Sequence, residues 1–242
     1  MRVEKQKTIR YLKLPFCFDP GKLEKDLAIV SSAAWIQHYN TKDYSGDWSA
    51  IPLYAINGDA TNIFATSFDS SGVKETAILK ECLYFQEVMQ AFQFEVTAVR
   101  LLRLGAGAVI QPHTDHELGY ENGYFRLHVP VVTNPGVKFL LDGDRLRMLP
   151  GECWYINANF EHSVSNAGTS DRVHLVVDGI RNEWTDELFF SLAPKENYES
   201  ESPVESPEMI RRMIEELQHL SEPAAEELLA GLRQKLAMLE AK

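Results

Sequence analysis

The stretch VKFLLDGDRLRMLPGECWYIN, residues 137–157, holds three short β-forming runs separated by turn residues. Its LDGDR segment centres on Asp142-Gly143. A two-residue hairpin of the I′ type needs positive φ at both central positions, which Asp and Gly tolerate best. The same texture continues in both directions. FEVTAVRLLRL, AVIQPHTD and FRLHVPVV precede it, HSVSN and RVHLVVDGI follow, and the runs together fill residues 94–180. Many short strands at this spacing predict a mainly β fold with flanking helices, built on a jelly-roll core of the double-stranded β-helix, cupin-like kind.

Around this core the pattern changes. The first 93 residues read as mixed α and β. TIRYLKL (8–14) predicts a strand, and Asp19-Pro20 supplies an N-cap and a first-turn proline for a helix near 20–33. TSFDSSGVKET (66–76) is a polar loop. ECLYFQEVMQAF (81–92) has apolar residues at helical spacing. From 194 the chain becomes acidic and rich in Pro and Ser, a linker over 194–205. Two amphipathic helices are predicted over 206–242, one carrying Ile210, Ile214 and Leu217, the other Leu229, Leu232 and Leu236. Such a hairpin could pack on the barrel, pair with a second copy of the chain to give a homodimer, or act as a lid. The domain map is thus 1–193, a linker, and a C-terminal helical hairpin.

The chain has 242 residues, 45% of them hydrophobic, and a net charge of −11. That balance argues against nucleic acid or an anionic membrane surface as partner. No apolar run is long enough to span a bilayer, and the first residues lack the apolar centre of a secretory signal. Three widely spaced cysteines fit reduced thiols, so a cytoplasmic location is expected.

Chemistry concentrates in PHTDHE, residues 112–117. On an extended strand, residues i and i+2 point to one face, so His113 and Asp115 can reach one ion. His162 opens the seventh β run, and in a jelly roll the second and seventh strands lie close together. Two His and one carboxylate with open coordination positions are typical of non-heme Fe(II) oxygenases. Arg172 opens the last run, ten residues further on. Its planar fork suits the far carboxylate of a dicarboxylate such as 2-oxoglutarate. Arg126 and His128 share one face of their strand and would be costly inside a barrel without an anionic partner. Arg100 shares the parity of Leu102 and Leu104 and is a further inward candidate. His174 shares Arg172's face. His38 and His219 carry no signal, and His116 and Glu117 fall outside the ligand pattern.

These residues, with VRLLRLGAGAVIQPHTD, FRLHVPVVTNP, GECWYINANFEHSVSNAG and RVHLVVD, resemble the aspartyl/asparaginyl β-hydroxylase-like 2-oxoglutarate oxygenases, a group that includes bacterial cis-proline hydroxylases. The similarity covers residues 12–185 and leaves the 194–242 tail outside. The resemblance implies an Fe(II)- and 2-oxoglutarate-dependent dioxygenase using O2, with His113, Asp115 and His162 on the metal. It implies Arg172 at the 5-carboxylate of 2-oxoglutarate, His128 at its 1-carboxylate, and Arg126 at an acidic group of the substrate, with Arg100 a further cation. Some animal members lack the carboxylate ligand, so Asp115 aligns this chain with the bacterial type. The β-hydroxylases have a serine where this chain has Leu102, so co-substrate contacts there must differ. The implied substrate is an aspartyl or asparaginyl side chain or a related amino acid. A free proline-type amino acid, or a barrel binding a metal or small acid without turnover, remains open.

Overall fold

The computed structural model describes residues 8–30, 35–65, 70–115 and 117–198, together with 211, 214, 233 and 236. The chain divides into two units, 1–198 and 199–242. In the first, β1 (Tyr11–Cys17), α1 (Pro20–Val30), β2 (Ile36–Gln37), β3 (Tyr44–Ser45), β4 (Trp48–Ile56) and β5 (Val73–Glu75) lead into α2 (Leu83–Gln90). Then come β6 (Val96–Leu104), β7 (Val109–His113), β8 (Tyr124–Val132), β9 (Val137–Leu141), β10 (Asp144–Leu146), β11 (Glu152–Ile156), β12 (His162–Asn166) and β13 (Arg172–Ile180). Helix α3 (Glu183–Leu192) follows.

All eight β runs read from the sequence form strands. They distribute between two antiparallel sheets, one ordered β1-β11-β8-β13-β6-β4-β2 with β5 beside β4, the other β10-β9-β12-β7-β3. This is the jelly-roll arrangement: strands distant in sequence pair, and the two sheets enclose a core. The β9–β10 hairpin turns at Asp142 and Gly143, both at positive φ (47° and 81°), as the LDGDR pattern requires. Strand β4 is an addition to the predicted set. WSAIPLYAI is buried along most of its length, so it shows no polar–apolar alternation to mark it as a strand.

Period-two alternation sorts β6, β8 and β13 into two faces. One face holds Leu101, Leu127, Val129, Leu175 and Val177, which join Leu23 of α1, Phe85 of α2 and Phe189 of α3 in the larger core. The helices are anchored against it by local signals. Asp19 Oδ1 accepts from the Lys22 amide at 3.1 Å, opening α1 as its sequence suggests. Buried Asp26 on α1 accepts from the Tyr84 and Phe85 amides at 2.7 and 2.8 Å, capping the start of α2. Asn182 and Thr185 form a capping box at α3. The opposite face of the large sheet meets the small sheet: Trp48 and Leu104 pack with Ile110, Phe139, Leu141 and Val164.

The predicted linker and helical hairpin lie almost wholly outside the described residues, as does His219. Of the second unit, Arg211, Ile214, Arg233 and Leu236 are helical, with Ile214 buried and both arginines exposed. Among the described residues, no helix is long and apolar enough to cross a membrane.

Candidate functional site

The inward positions of the large sheet are polar where an apolar core would be expected: Arg100 on β6, Arg126 and His128 on β8, and Arg172, His174 and Asp178 on β13. Facing them, β7 and β12 pair so that His113 and His162 stand directly opposite each other, with ring centroids 4.2 Å apart. Asp115 lies two residues beyond His113, its Oδ1 4.0 Å from His113 Nε2. One ligand atom from each of the three lies within 4.8 Å of the others. All seven residues nominated from the sequence line one cavity of about 420 Å³.

The two histidines are prepared for a metal by backbone carbonyls. His113 Nδ1 bonds Gln111 O at 2.8 Å, and His162 Nδ1 bonds Phe160 O at 3.0 Å. A carbonyl oxygen only accepts, so each Nδ1 carries the proton and each Nε2 presents a lone pair. Burial, aided by repulsion from His113, lowers the His162 pKa to about 4, so that ring is neutral at physiological pH. For Asp115, burial is the largest influence and acts in the opposite direction, but Arg126, His162 and His113 together outweigh it and hold the carboxyl below its usual range. Two imidazoles and one carboxylate with a shared focus form a donor set that fits Fe(II).

Arg126 and Arg100 are already paired within the chain. Asp178 stands opposite Arg126 across β13 and β8 and accepts from its Nε at 2.6 Å and its Nη2 at 3.0 Å. Arg100 Nη2 reaches the same carboxylate at 2.8 Å, and Arg126 Nη1 reaches Asp115 at 2.5 Å. The result is a continuous line, Arg100–Asp178–Arg126–Asp115, ending on a metal-ligand candidate. Arg126 therefore supports the ligand Asp115, and only N–H groups left over from those bonds are available to a substrate.

Arg172 differs. It is 2% exposed, its Nε has no hydrogen-bond partner, and no carboxylate lies within ion-pair reach among the described residues. Burial lowers its pKa to about 9, which leaves it cationic at neutral pH. Its recorded contacts are His174 Nδ1, 2.9 Å from Nη2, and the face of Phe139, 5.9 Å from the guanidinium carbon. Phe139 in turn stacks parallel to the His162 ring. A buried, unpaired cation is costly unless an anion completes it, and a carboxylate of 2-oxoglutarate fits that vacancy in the charge pattern.

Arg172 also sets the tautomers of the two histidines beside it. Its N–H groups can only donate, so His174 Nδ1 must accept. His174 Nδ1 also lies 3.3 Å from His128 Nδ1, and two lone pairs would repel, so the proton in that contact belongs to His128. His128 Nδ1 faces His174, which leaves the ring edge bearing Nε2 for the cavity, without a proton while the ring is neutral. Burial, Arg172 and Arg126 all keep His128 well below the usual imidazole range.

Sequence reasoning left out Asp178, although it shares the parity of Arg172 and His174 along β13. It also left out His38, which lines the cavity, stacked on Trp48 with centroids 3.5 Å apart and on Tyr39 at 4.4 Å. His38 is therefore not the unremarkable residue its local sequence suggests. Burial, assisted by Arg100, lowers its pKa to about 4.

The chain belongs to the aspartyl/asparaginyl beta-hydroxylase family, whose model matches residues 22–182. It is 28% identical over 165 residues to the L-proline cis-4-hydroxylase of Rhizobium meliloti (strain 1021), an alignment covering 66% of this chain and 57% of that protein. It is 26% identical over 164 residues to L-proline cis-3-hydroxylase 2 of a Streptomyces species, covering 66% and 56%. The chain thus spans little more than half the length of these curated relatives. Among solved structures, HygX from Streptomyces hygroscopicus, with nickel and 2-oxoglutarate bound, overlaps 73% of this chain and 84% of its own at a TM-score of 0.48 and 9% identity.

Asp178→Asn keeps the shape of the side chain but leaves buried Arg100 without a counter-charge and part-buried Arg126 with Asp115 alone. Urea unfolding should show a loss of roughly 3–5 kcal/mol. A loss below about 1 kcal/mol would mean that the Arg100–Asp178–Arg126 line does not hold the large sheet together.

Proposed function

We propose that this protein is an Fe(II)- and 2-oxoglutarate-dependent dioxygenase that hydroxylates an amino acid or an amino-acid residue. The observation that carries this reading is the unpaired, fully buried Arg172 sharing a cavity with the His113, Asp115 and His162 donor set. A metal-binding barrel without turnover has no use for a stranded guanidinium beside its metal, whereas a dicarboxylate co-substrate needs one.

In this reading His113 Nε2, His162 Nε2 and an Asp115 oxygen would hold the metal. Bound iron with 2-oxoglutarate and O2 supplies the oxidising power that inserts oxygen into an unactivated C–H bond. The chain's own residues bind and orient. Arg172 takes the far carboxylate of the co-substrate, and Arg126 steadies Asp115 while offering its remaining N–H groups to a substrate carboxylate or amide. Arg100 acts through Asp178, fixing Arg126 from behind. His38, Tyr39 and Trp48 supply an aromatic wall against which the apolar part of a substrate can lie. Holding that part still presents one C–H bond to the metal side.

Two substrates fit this description: an aspartyl or asparaginyl side chain, as the family description suggests, and a free proline-type amino acid, as the names of the curated relatives suggest. The aromatic wall and the small cavity favour the second. Screening free amino acids and short Asp- or Asn-containing peptides for a +16 Da product, with succinate formation from 2-oxoglutarate as the co-product, decides between them. Absence of succinate with every candidate would return the chain to the non-catalytic reading.

Two substitutions separate metal from co-substrate. His162→Ala should abolish Fe(II) binding measured by anaerobic titration. Arg172→Ala should leave the metal in place and weaken 2-oxoglutarate by about 10- to 150-fold, the value of a lost charge-assisted pair. Equal losses of metal and co-substrate in Arg172→Ala would remove it from the assigned role.

Co-substrate binding should also take up a proton. A carboxylate arriving at bare His128 Nε2 meets a lone pair, and protonation there converts repulsion into an ion pair. Calorimetry of 2-oxoglutarate binding in buffers of different ionisation enthalpy, between pH 6 and 8, should report proton uptake that grows as the pH falls, the sign linkage gives for a ring whose pKa the bound carboxylate raises. Tight binding with no proton uptake would place His128 away from the carboxylate.

A further inference from the structure

Arg172 and Phe139 also line a second cavity, of about 560 Å³, whose lining includes none of the three metal-ligand candidates. Its walls come from the loop after β8, the β9–β10 hairpin and the segment running into β11. Buried His174, 3% exposed, joins Arg172 in its lining, with exposed Arg145 and Arg147 contributing as well. The chain carries 35 acidic against 24 basic residues, yet no Asp or Glu lines this space. None of the three guanidiniums has an ion-pair partner among the described residues. Arg145 Nη2 donates to the Val137 carbonyl at 3.3 Å. The remaining surface is largely apolar, including Leu146, Met148 and Leu149.

We propose that this second cavity is a binding site for a small organic carboxylate, whose charge is met by Arg145, Arg147 and Arg172 and whose apolar body lies on Leu146 and Met148. Three like charges converging on one space repel each other, and an anion there relieves that repulsion. Guanidinium forks suit a carboxylate, and the apolar walls suit a hydrocarbon chain more than a hydrated inorganic ion. In an acidic protein, an acid-free lining of this size stands apart from the general surface.

Sharing Arg172 makes the site antagonistic to the co-substrate. Two anions on either side of one guanidinium divide its donors and repel each other. By linkage, each weakens the other by the same factor. The binding of the carboxylate stands on the cavity alone; the antagonism rests on the assignment of Arg172 to 2-oxoglutarate.

The test uses the full chain with Fe(II) under anaerobic conditions, hexanoate as probe, inorganic phosphate as comparison, and the double variant Arg145→Ala/Arg147→Ala. Both arginines are exposed, and an unchanged melting temperature verifies the fold of the variant. Hexanoate should bind the parent chain, and about tenfold or more weaker in the double variant. It should raise the Kd for 2-oxoglutarate several-fold in the parent chain, while the variant binds 2-oxoglutarate normally with or without it. No hexanoate binding, equal binding to both proteins, or phosphate binding more tightly than hexanoate would overturn the site as described. Hexanoate binding as expected, in a protein that fails to bind 2-oxoglutarate at all, would leave the second site standing and remove the proposed function instead.

Discussion

The two-residue alternation along β13 is the constraint on which the rest of this structure depends. Val173, Leu175 and Val177 face the helices and are essentially inaccessible, while Arg172, His174 and Asp178 face the interior of the barrel and are equally inaccessible. A one-residue slip in register would exchange the two sets, driving charges into the helical core and aliphatic side chains into the cavity. The pairing of β13 with both β6 and β8 is therefore tied to chemistry as well as to backbone hydrogen bonding. The register that sets Asp178 against Arg126 also brings it within reach of Arg100.

That alternation explains what could be read before the fold was known. The eight β runs were legible because short β-forming segments alternate with turn residues, and the β9–β10 turn because Asp-Gly has few other uses between two apolar runs. His113, Asp115, His162 and Arg172 were legible from strand parity and from the chemistry each residue offers. Strand β4 was not, because WSAIPLYAI is largely apolar on both faces and is interrupted by Pro52, so neither alternation nor an unbroken β-forming run marks it. Asp178 was hidden inside an aliphatic run where its neighbours suggested only core. His38 was hidden for a different reason: its place depends on stacking over Trp48, which follows from the β2–β4 pairing and from no local pattern.

The cavity treats its arginines unequally, and the inequality is informative. Arg100 and Arg126 are neutralised by carboxylates from the same fold, so their charges are structural from the moment the sheet forms. Arg172 has a ring face and a histidine nitrogen but no anion. Evening out this difference would have been simple in sequence terms, since a single acidic residue on the facing strand would pair it. Leaving it unpaired lowers the stability of the free protein and raises the affinity for whatever anion arrives, because a ligand gains the interaction energy that folding left unmet.

The same reasoning accounts for the tautomers. Backbone carbonyls hold His113 and His162 with Nε2 bare, the state a metal requires, and Arg172 acting through His174 holds His128 with Nε2 bare, a state that opposes an anion. One cavity thus carries two kinds of readiness. The metal side is preorganised in the form it uses, so metal binding demands little rearrangement there. In the proposed function the Arg172 side is poised differently, because His128 meets an arriving carboxylate as a neutral ring and its complementarity improves if that ring gains a proton. On that proposal selectivity follows from the difference: a neutral molecule of similar shape would not raise the His128 pKa, and it would leave Arg172 as isolated as it was before.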